Sequence, residues 1–110
     1  MANHSPDPGP VFAALSDPCR RAVITRLARG DEVAVGDLAA DHAIALPTFL
    51  KHLNVLERAN LIATRKSGRT RLCRFTPAGL SAVETFLNNL EAGWSARLDR
   101  LEQRLKERDR

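Results

Sequence analysis

Apolar residues recur along most of this chain at intervals of three and four, and in one short stretch the interval drops to two. The pattern predicts a short helix over residues 11–15. Asp17-Pro18 then marks a second helix start, since a carboxylate there accepts from unpaired N–H groups and the fixed φ of proline suits a first turn. This helix is expected to bury Ala22, Val23, Leu27 and Ala28 and to stop at Gly30, with Arg26 and Arg29 near the negative end of its dipole. A third helix is expected over 35–42, burying Val35, Leu38 and Ala39. After the tight connection Ala43-Ile44-Ala45, a fourth spans about 46–59. Its stripe of Phe49, Leu53 and Leu56 has offsets of 4 and 3, as an amphipathic helix requires, and leaves Thr48, Lys51, Asn54 and Arg58 outward.

The period then changes to two. Residues 61–65 and 71–75 predict two strands with a turn at Ser67-Gly68, and Cys73 and Phe75 alternate onto one face. After Pro77 a long helix carries Leu80, Val83, Leu87, Leu90, Trp94, Leu98, Leu101 and Leu105. The steps of 3, 4, 3, 4, 4, 3 and 4 are close to a coiled-coil seam, with a bend expected near Gly93. Such a seam reads as a dimer core in preference to the wall of a ligand cavity. Residues 1–9, with Pro6, Pro8 and Gly9, read as a flexible tail. The expected division is therefore a tail (1–9), a domain of mostly α structure with a small β-hairpin (10–76), and a C-terminal dimerisation helix (77–110).

Composition sharpens this. A chain of 110 residues fits one small domain, and four Phe, one Trp and no Tyr leave its core modest, which again suggests apolar surface covered by a second copy. The net charge of +4 becomes informative where it clusters: Arg65, Lys66, Arg69, Arg71 and Arg74 lie in or beside the hairpin without an acidic residue among them. Such a hairpin repels itself unless an anion compensates it, and the phosphate backbone of a nucleic acid is the obvious one; the plainer reading is a surface hairpin that is merely basic. It follows two short helices joined by a three-residue connection, the arrangement of a helix-turn-helix. One α-helix fits the major groove of duplex DNA. The candidate recognition-helix residues are Pro47, Thr48, Lys51, His52, Asn54 and Arg58, and the candidate wing residues are Arg65, Lys66, Ser67, Arg69 and Arg71.

Other classes fare worse. The polar, proline-rich start is unlike a signal peptide, no apolar run approaches the ~18 residues a bilayer needs, and two cysteines are too few for a disulfide scaffold, so a reducing cytoplasm is expected and no membrane. His4, His42 and His52 show no ligand spacing, so neither a metal nor another cofactor is expected. No carboxylate pair or nucleophile with a nearby base suggests an enzyme. Cys19 sits in a first helical turn beside Arg20 and Arg21, surroundings that lower a thiol pKa, whereas Cys73 reads as a small buried hydrophobe.

The segments Phe12-Ala13-Ala14-Leu15-Ser16-Asp17-Pro18-Cys19-Arg20-Arg21, Val35-Gly36-Asp37-Leu38-Ala39, Pro47 through Lys51-His52-Leu53-Asn54-Val55-Leu56-Glu57, and Ala59-Asn60-Leu61-Ile62 with the basic wing resemble the ArsR/SmtB winged-helix repressors, over about residues 11–105. The resemblance implies a winged helix-turn-helix in the order α-α-α-α-β-β-α, paired as a homodimer through its first and last helices. Phe12, Leu15, Leu80, Val83, Leu87, Leu90, Trp94, Leu98 and Leu101 would form that interface. It further implies two recognition helices in successive major grooves of double-stranded DNA, with Lys51 and His52 matching the family's lysine-histidine pair, and repression of its own or neighbouring promoters. The chain departs from the family at Ala45, where a Ser or Thr usually caps the recognition helix at a gain of ~1 kcal/mol, and at Leu50, where a polar residue is common. Positions that hold metal-binding cysteines in some members are Ala34 and Gly36 here, and no histidine follows His52. The inducer, small-molecule or redox, is unspecified. Two rival readings are a repressor switched by Cys19 and Cys73, and a protein-interaction adaptor that keeps the winged fold without DNA.

Overall fold

The computed structural model describes residues 7–109, in the order α1 (Gly9–Ala14), α2 (Pro18–Leu27), β1 (Val33–Ala34), α3 (Val35–Ala40), α4 (Leu46–Arg58), β2 (Ile62–Ser67), β3 (Thr70–Phe75), a 3₁₀ turn (Pro77–Leu80) and α5 (Ser81–Arg108). Most of the expected tail, His4 included, lies outside the described residues; its end does not behave as a tail, because α1 begins at Gly9. Pro10 stands in the first turn, where its missing N–H forfeits no helical bond. The Asp7 carboxylate accepts from Gly9 N at 2.9 Å, and the Pro8 carbonyl accepts from Val11 N and Phe12 N.

The Asp17 carboxylate caps α2 by accepting from Arg20 N at 3.1 Å. Val23 and Leu27, one turn apart, are buried, while Ala22 and Ala28 are exposed, contrary to expectation. The buried face is a single i, i+4 row, and each alanine stands one residue outside it. In α4 the stripe of Phe49, Leu53 and Leu56 is buried as its spacing requires. Phe49 and Leu56 join Val23, Leu27, Leu38, Leu61 and Cys73 as the largest fully buried side chains. The helix ends in a Schellman turn: Asn60 takes φ +60°, its N–H reaches Glu57 O, and Leu61 N reaches Leu56 O, both at 3.0 Å. α3 stops at Ala40, which leaves His42 in the connection before α4.

The hairpin gains a third strand. β1 pairs antiparallel with β3 (Val33 opposite Cys73, Ala34 opposite Leu72), so the sheet order is β1-β3-β2. Two residues are too few to show a period, which is why β1 escaped the sequence pattern. β2 and β3 run further than expected, to a Ser67–Thr70 pair closed by Gly68 at φ +62°.

One junction ties the wing to the helices on either side. Thr76 N donates to Leu61 O at 2.9 Å, and Thr76 Oγ1 donates to Asn60 O. Gly79 lies so close that a Cβ there would stand 2.0 Å from the Asn60 carbonyl oxygen. α5 leaves from this clip. Ala82 is buried and Val83 half-buried, but every residue from 84 to 109 is exposed. The helix is unbroken through Gly93, where a bend was expected, and at ~1.5 Å per residue it is about 42 Å long, which stretches the molecule to 72 Å.

Candidate nucleic-acid interface

The outer face of α4 is the first part of the site. Ala45 precedes the helix without a side-chain cap, and Pro47 fills a first-turn position that needs no donor. Pro47, Thr48, Lys51, Asn54 and Arg58 are exposed, as expected. Leu50 is 45% exposed, so it does not pack inward; it sets an apolar spot beside Lys51. His52 is half-buried and faces α2 and not the wing: its Nδ1 accepts from Arg20 Nη1 at 2.9 Å. Arg20 Nε also donates to Ala14 O at 2.6 Å, and Nη2 donates to Ala13 O at 3.3 Å. One guanidinium therefore clamps the end of α1 and the middle of α4 onto α2. Nothing local in the sequence marks Arg20 for this, since its partner His52 is 32 residues away.

The wing is the second part. Its pleat puts Ile62, Thr64 and Lys66 on one face with Phe75, Cys73 and Arg71, and puts Ala63 and Arg65 on the other with Arg74 and Leu72. The first face is core at its root and cationic at its tip. On the second, Arg65 makes a two-pronged ion pair with Glu32, Nε to Oε2 at 2.8 Å and Nη2 to Oε1 at 2.7 Å. The Arg65 guanidinium holds the Glu32 carboxyl below its ordinary pKa, and Glu32 in turn raises that of Arg65. An acid beside β1 thus compensates part of the charge that the hairpin's own sequence left unbalanced. Lys66, Arg69 and Arg71 remain exposed, with Ser67 beside them at the turn.

Helix and wing meet in a groove lined by Leu50, Asn54, Glu57, Thr64 and Arg71. Arg71 donates to Thr64 Oγ1 at 3.2 Å through Nη2, and Thr64 Oγ1 donates to Glu57 Oε2 at 3.1 Å. This chain of bonds ties the wing root to α4 between the two exposed polar surfaces.

Of the residues expected at a dimer interface, Leu15, Leu80 and Val83 are half-buried against the protomer's own core. Phe12, Leu87, Leu90, Trp94, Leu98 and Leu101 are exposed, up to 61% at Trp94. Phe86 joins them, meeting Phe12 edge-to-face at 5.8 Å between ring centroids. Its place three residues after Val83 was the available signal.

Cys19 differs from expectation, whereas Cys73 is buried as expected. The pKa of Cys19 is raised, first by burial and then by the Asp17 carboxylate, which together outweigh Arg20. Arg21 turns away and donates to Leu15 O at 2.8 Å. Burial pushes Cys73 up to about 11. A thiol held protonated reacts slowly with peroxide, so DNA affinity measured before and after brief peroxide treatment is expected to be unchanged. A large loss that Cys19→Ser prevents would restore the redox reading.

Residues 15–65 match the family described as Helix-turn-helix domain. The chain is 41% identical over 81 residues to the HTH-type transcriptional regulator Rv2034 of Mycobacterium tuberculosis, covering 74% of this chain and 75% of that one. It is 41% identical over 59 residues to the transcriptional repressor SdpR of Bacillus subtilis, covering 54% and 64%. The crystal structure of an ArsR family transcriptional regulator superposes with a TM-score of 0.77 at 40% identity, covering 86% of this chain and 97% of that one. The solution structure of a homodimeric winged helix-turn-helix DNA-binding domain from Mycobacterium bovis shares the fold, with a TM-score of 0.59 at 23% identity over 76% and 77%. With its helix-turn-helix, its three-stranded wing sheet and these relatives, the chain belongs to the ArsR family and is a DNA-binding transcriptional regulator.

Proposed function

We propose that this protein is a cytoplasmic homodimer that represses its own or neighbouring promoters. Residues 10–76 supply the DNA contacts and 77–110 the pairing helix. Pro47, Thr48, Lys51, Asn54 and Arg58 face the major groove, Leu50 adds an apolar contact for a thymine methyl, and Lys66, Ser67, Arg69 and Arg71 hold the flanking phosphates. Arg65, already paired with Glu32, contributes less, and His52 acts mainly by positioning α4 through Arg20. The observation that carries this reading is the groove in which Asn54 of α4 and Arg71 of the wing line a common wall. Repression is supported by the likeness to SdpR, and pairing by the homodimeric neighbour together with the bare apolar face of α5.

Fluorescence anisotropy with the protein's own upstream promoter tests it across a series of salt concentrations. Each phosphate contact contributes about 0.9 to the slope of log affinity against log salt, so Arg69→Ala with Arg71→Ala is expected to lower the slope by about 1.8 and to weaken all duplexes alike. A double variant with the wild-type slope would take the wing out of the interface. Thr48→Ala or Asn54→Ala is expected instead to change preference among duplexes, by about 1–3 kcal/mol for a lost base contact. Wild-type protein that binds no duplex at all would leave a winged-helix adaptor.

A further inference from the structure

We infer that Asp17, Cys19, His42 and His52 form a binding site for a thiophilic divalent cation of the zinc or cobalt kind, at the point where α2, the α3–α4 connection and α4 converge. Ligand atoms of Asp17, Cys19 and His52 all lie within 4.8 Å of one another, and all three residues are half-buried. Cys19 Sγ also lies 3.5 Å from His42 Nδ1. That is the separation two ligand atoms have around one tetrahedral zinc, since bonds of about 2.3 Å to sulfur and 2.1 Å to nitrogen put them about 3.5 Å apart. The His42 ring is held in place by stacking on the buried Phe49 at 5.3 Å. The thiolate and carboxylate of Cys19 and Asp17 neutralise a divalent charge and His52 adds an imidazole; His42, which meets Cys19 but stands outside the 4.8 Å trio, completes four-coordination by swinging in with the ion. In the chain these ligands are 2, 23 and 10 residues apart, so spacing along the sequence gave no sign of them.

Loading has a defined chemistry. The Cys19 S–H bond breaks, its proton goes to solvent, and the thiolate and the Nδ1 lone pair of His42 turn from each other to the ion. His52 presents one lone pair, which at present accepts from Arg20. If the ion takes Nδ1, Arg20 is displaced; if it takes Nε2, Nδ1 must carry hydrogen and no longer accepts. Either way the Arg20–His52 hydrogen bond is lost. The ion and the arginine clamp therefore compete for the residue that follows Lys51 on α4.

Cobalt(II) titration of the full-length, reduced protein tests this. A single equivalent per chain is expected to give a thiolate-to-cobalt charge-transfer band and the intense visible bands of a four-coordinate ion. Cys19→Ser removes the charge-transfer band and Cys73→Ser keeps it. Asp17→Asn preserves the helix cap, because asparagine caps as well as aspartate, yet weakens cobalt binding at least as much as the 10–100-fold that loss of an outer-shell partner costs. Arg20→Ala, shown folded by circular dichroism, binds cobalt more tightly because the competing donor is gone. No charge-transfer band, one that survives Cys19→Ser, or only the weak spectrum of a six-coordinate ion overturns the site. Unchanged or weaker binding in folded Arg20→Ala overturns the competition. All these readings are made without DNA, so they stand or fall apart from the proposed repressor function.

Discussion

Replacing Leu90 and Leu98 together by Glu is expected to give a folded monomer that has lost most of its grip on DNA. Both side chains are about half exposed on α5, on a row that runs from Phe86 to Leu105. In a symmetric pair the two substitutions remove four buried leucines. At about 1.5 kcal/mol each, the low end for a buried leucine, they contribute about 6 kcal/mol, on the order of 10⁴ in the dimer dissociation constant. Buried carboxylates would add to that. The protomer tolerates the change because residues 84 to 109 are all exposed and none belongs to its own core. Light scattering coupled to size exclusion reads the loss of mass, and thermal melting of the remaining domain reads the retained fold. A double variant that stays dimeric at micromolar concentration would move the interface away from α5.

The second large effect is expected at Gly79. A methyl group there would meet the Asn60 carbonyl oxygen at 2.0 Å and its carbon at 2.7 Å, and both are backbone atoms that no rotamer change can move. Overpacking commonly costs 1–3 kcal/mol, and this collision belongs at the upper end, about 3 kcal/mol. For a domain of this size each kcal/mol moves the melting temperature by about 4–8 °C, so Gly79→Ala is expected to melt about 15 °C lower. Gly36→Ala is the control. A Cβ there meets nothing within 4 Å, and its expected melting temperature is unchanged or slightly higher. Similar melts for the two variants would mean that the clip gives way easily.

What was legible in the sequence is what depends on near neighbours. The Phe49, Leu53 and Leu56 stripe, the Asp17 cap and the basic hairpin each state their structure within about two turns or one strand pair. What escaped depends on residues that meet only after folding. Glu32 reaches Arg65 across 33 positions, and Arg20 reaches His52 across 32. Cys19 shows the same limit in its chemistry. Its neighbours in the chain are cationic, but Arg21 turns outward while burial and Asp17 set the thiol. On the outer face of α4, Pro47, Thr48, Lys51, Asn54 and Arg58 are exposed as the stripe of apolar residues opposite them requires.

The clip of Asn60, Thr76 and Gly79 also bears on distance. It joins the end of α4 to the start of α5 through the N–H and hydroxyl of Thr76 and the close approach of Gly79 to the Asn60 carbonyl. In the proposed dimer, the angle at which α5 leaves this clip sets how far apart the two copies of α4 stand. Binding would therefore be sensitive to the number of base pairs between half-sites, because inserting half a helical turn carries one half-site to the far side of the duplex. A junction that itself touches no base would then act as the ruler of the operator.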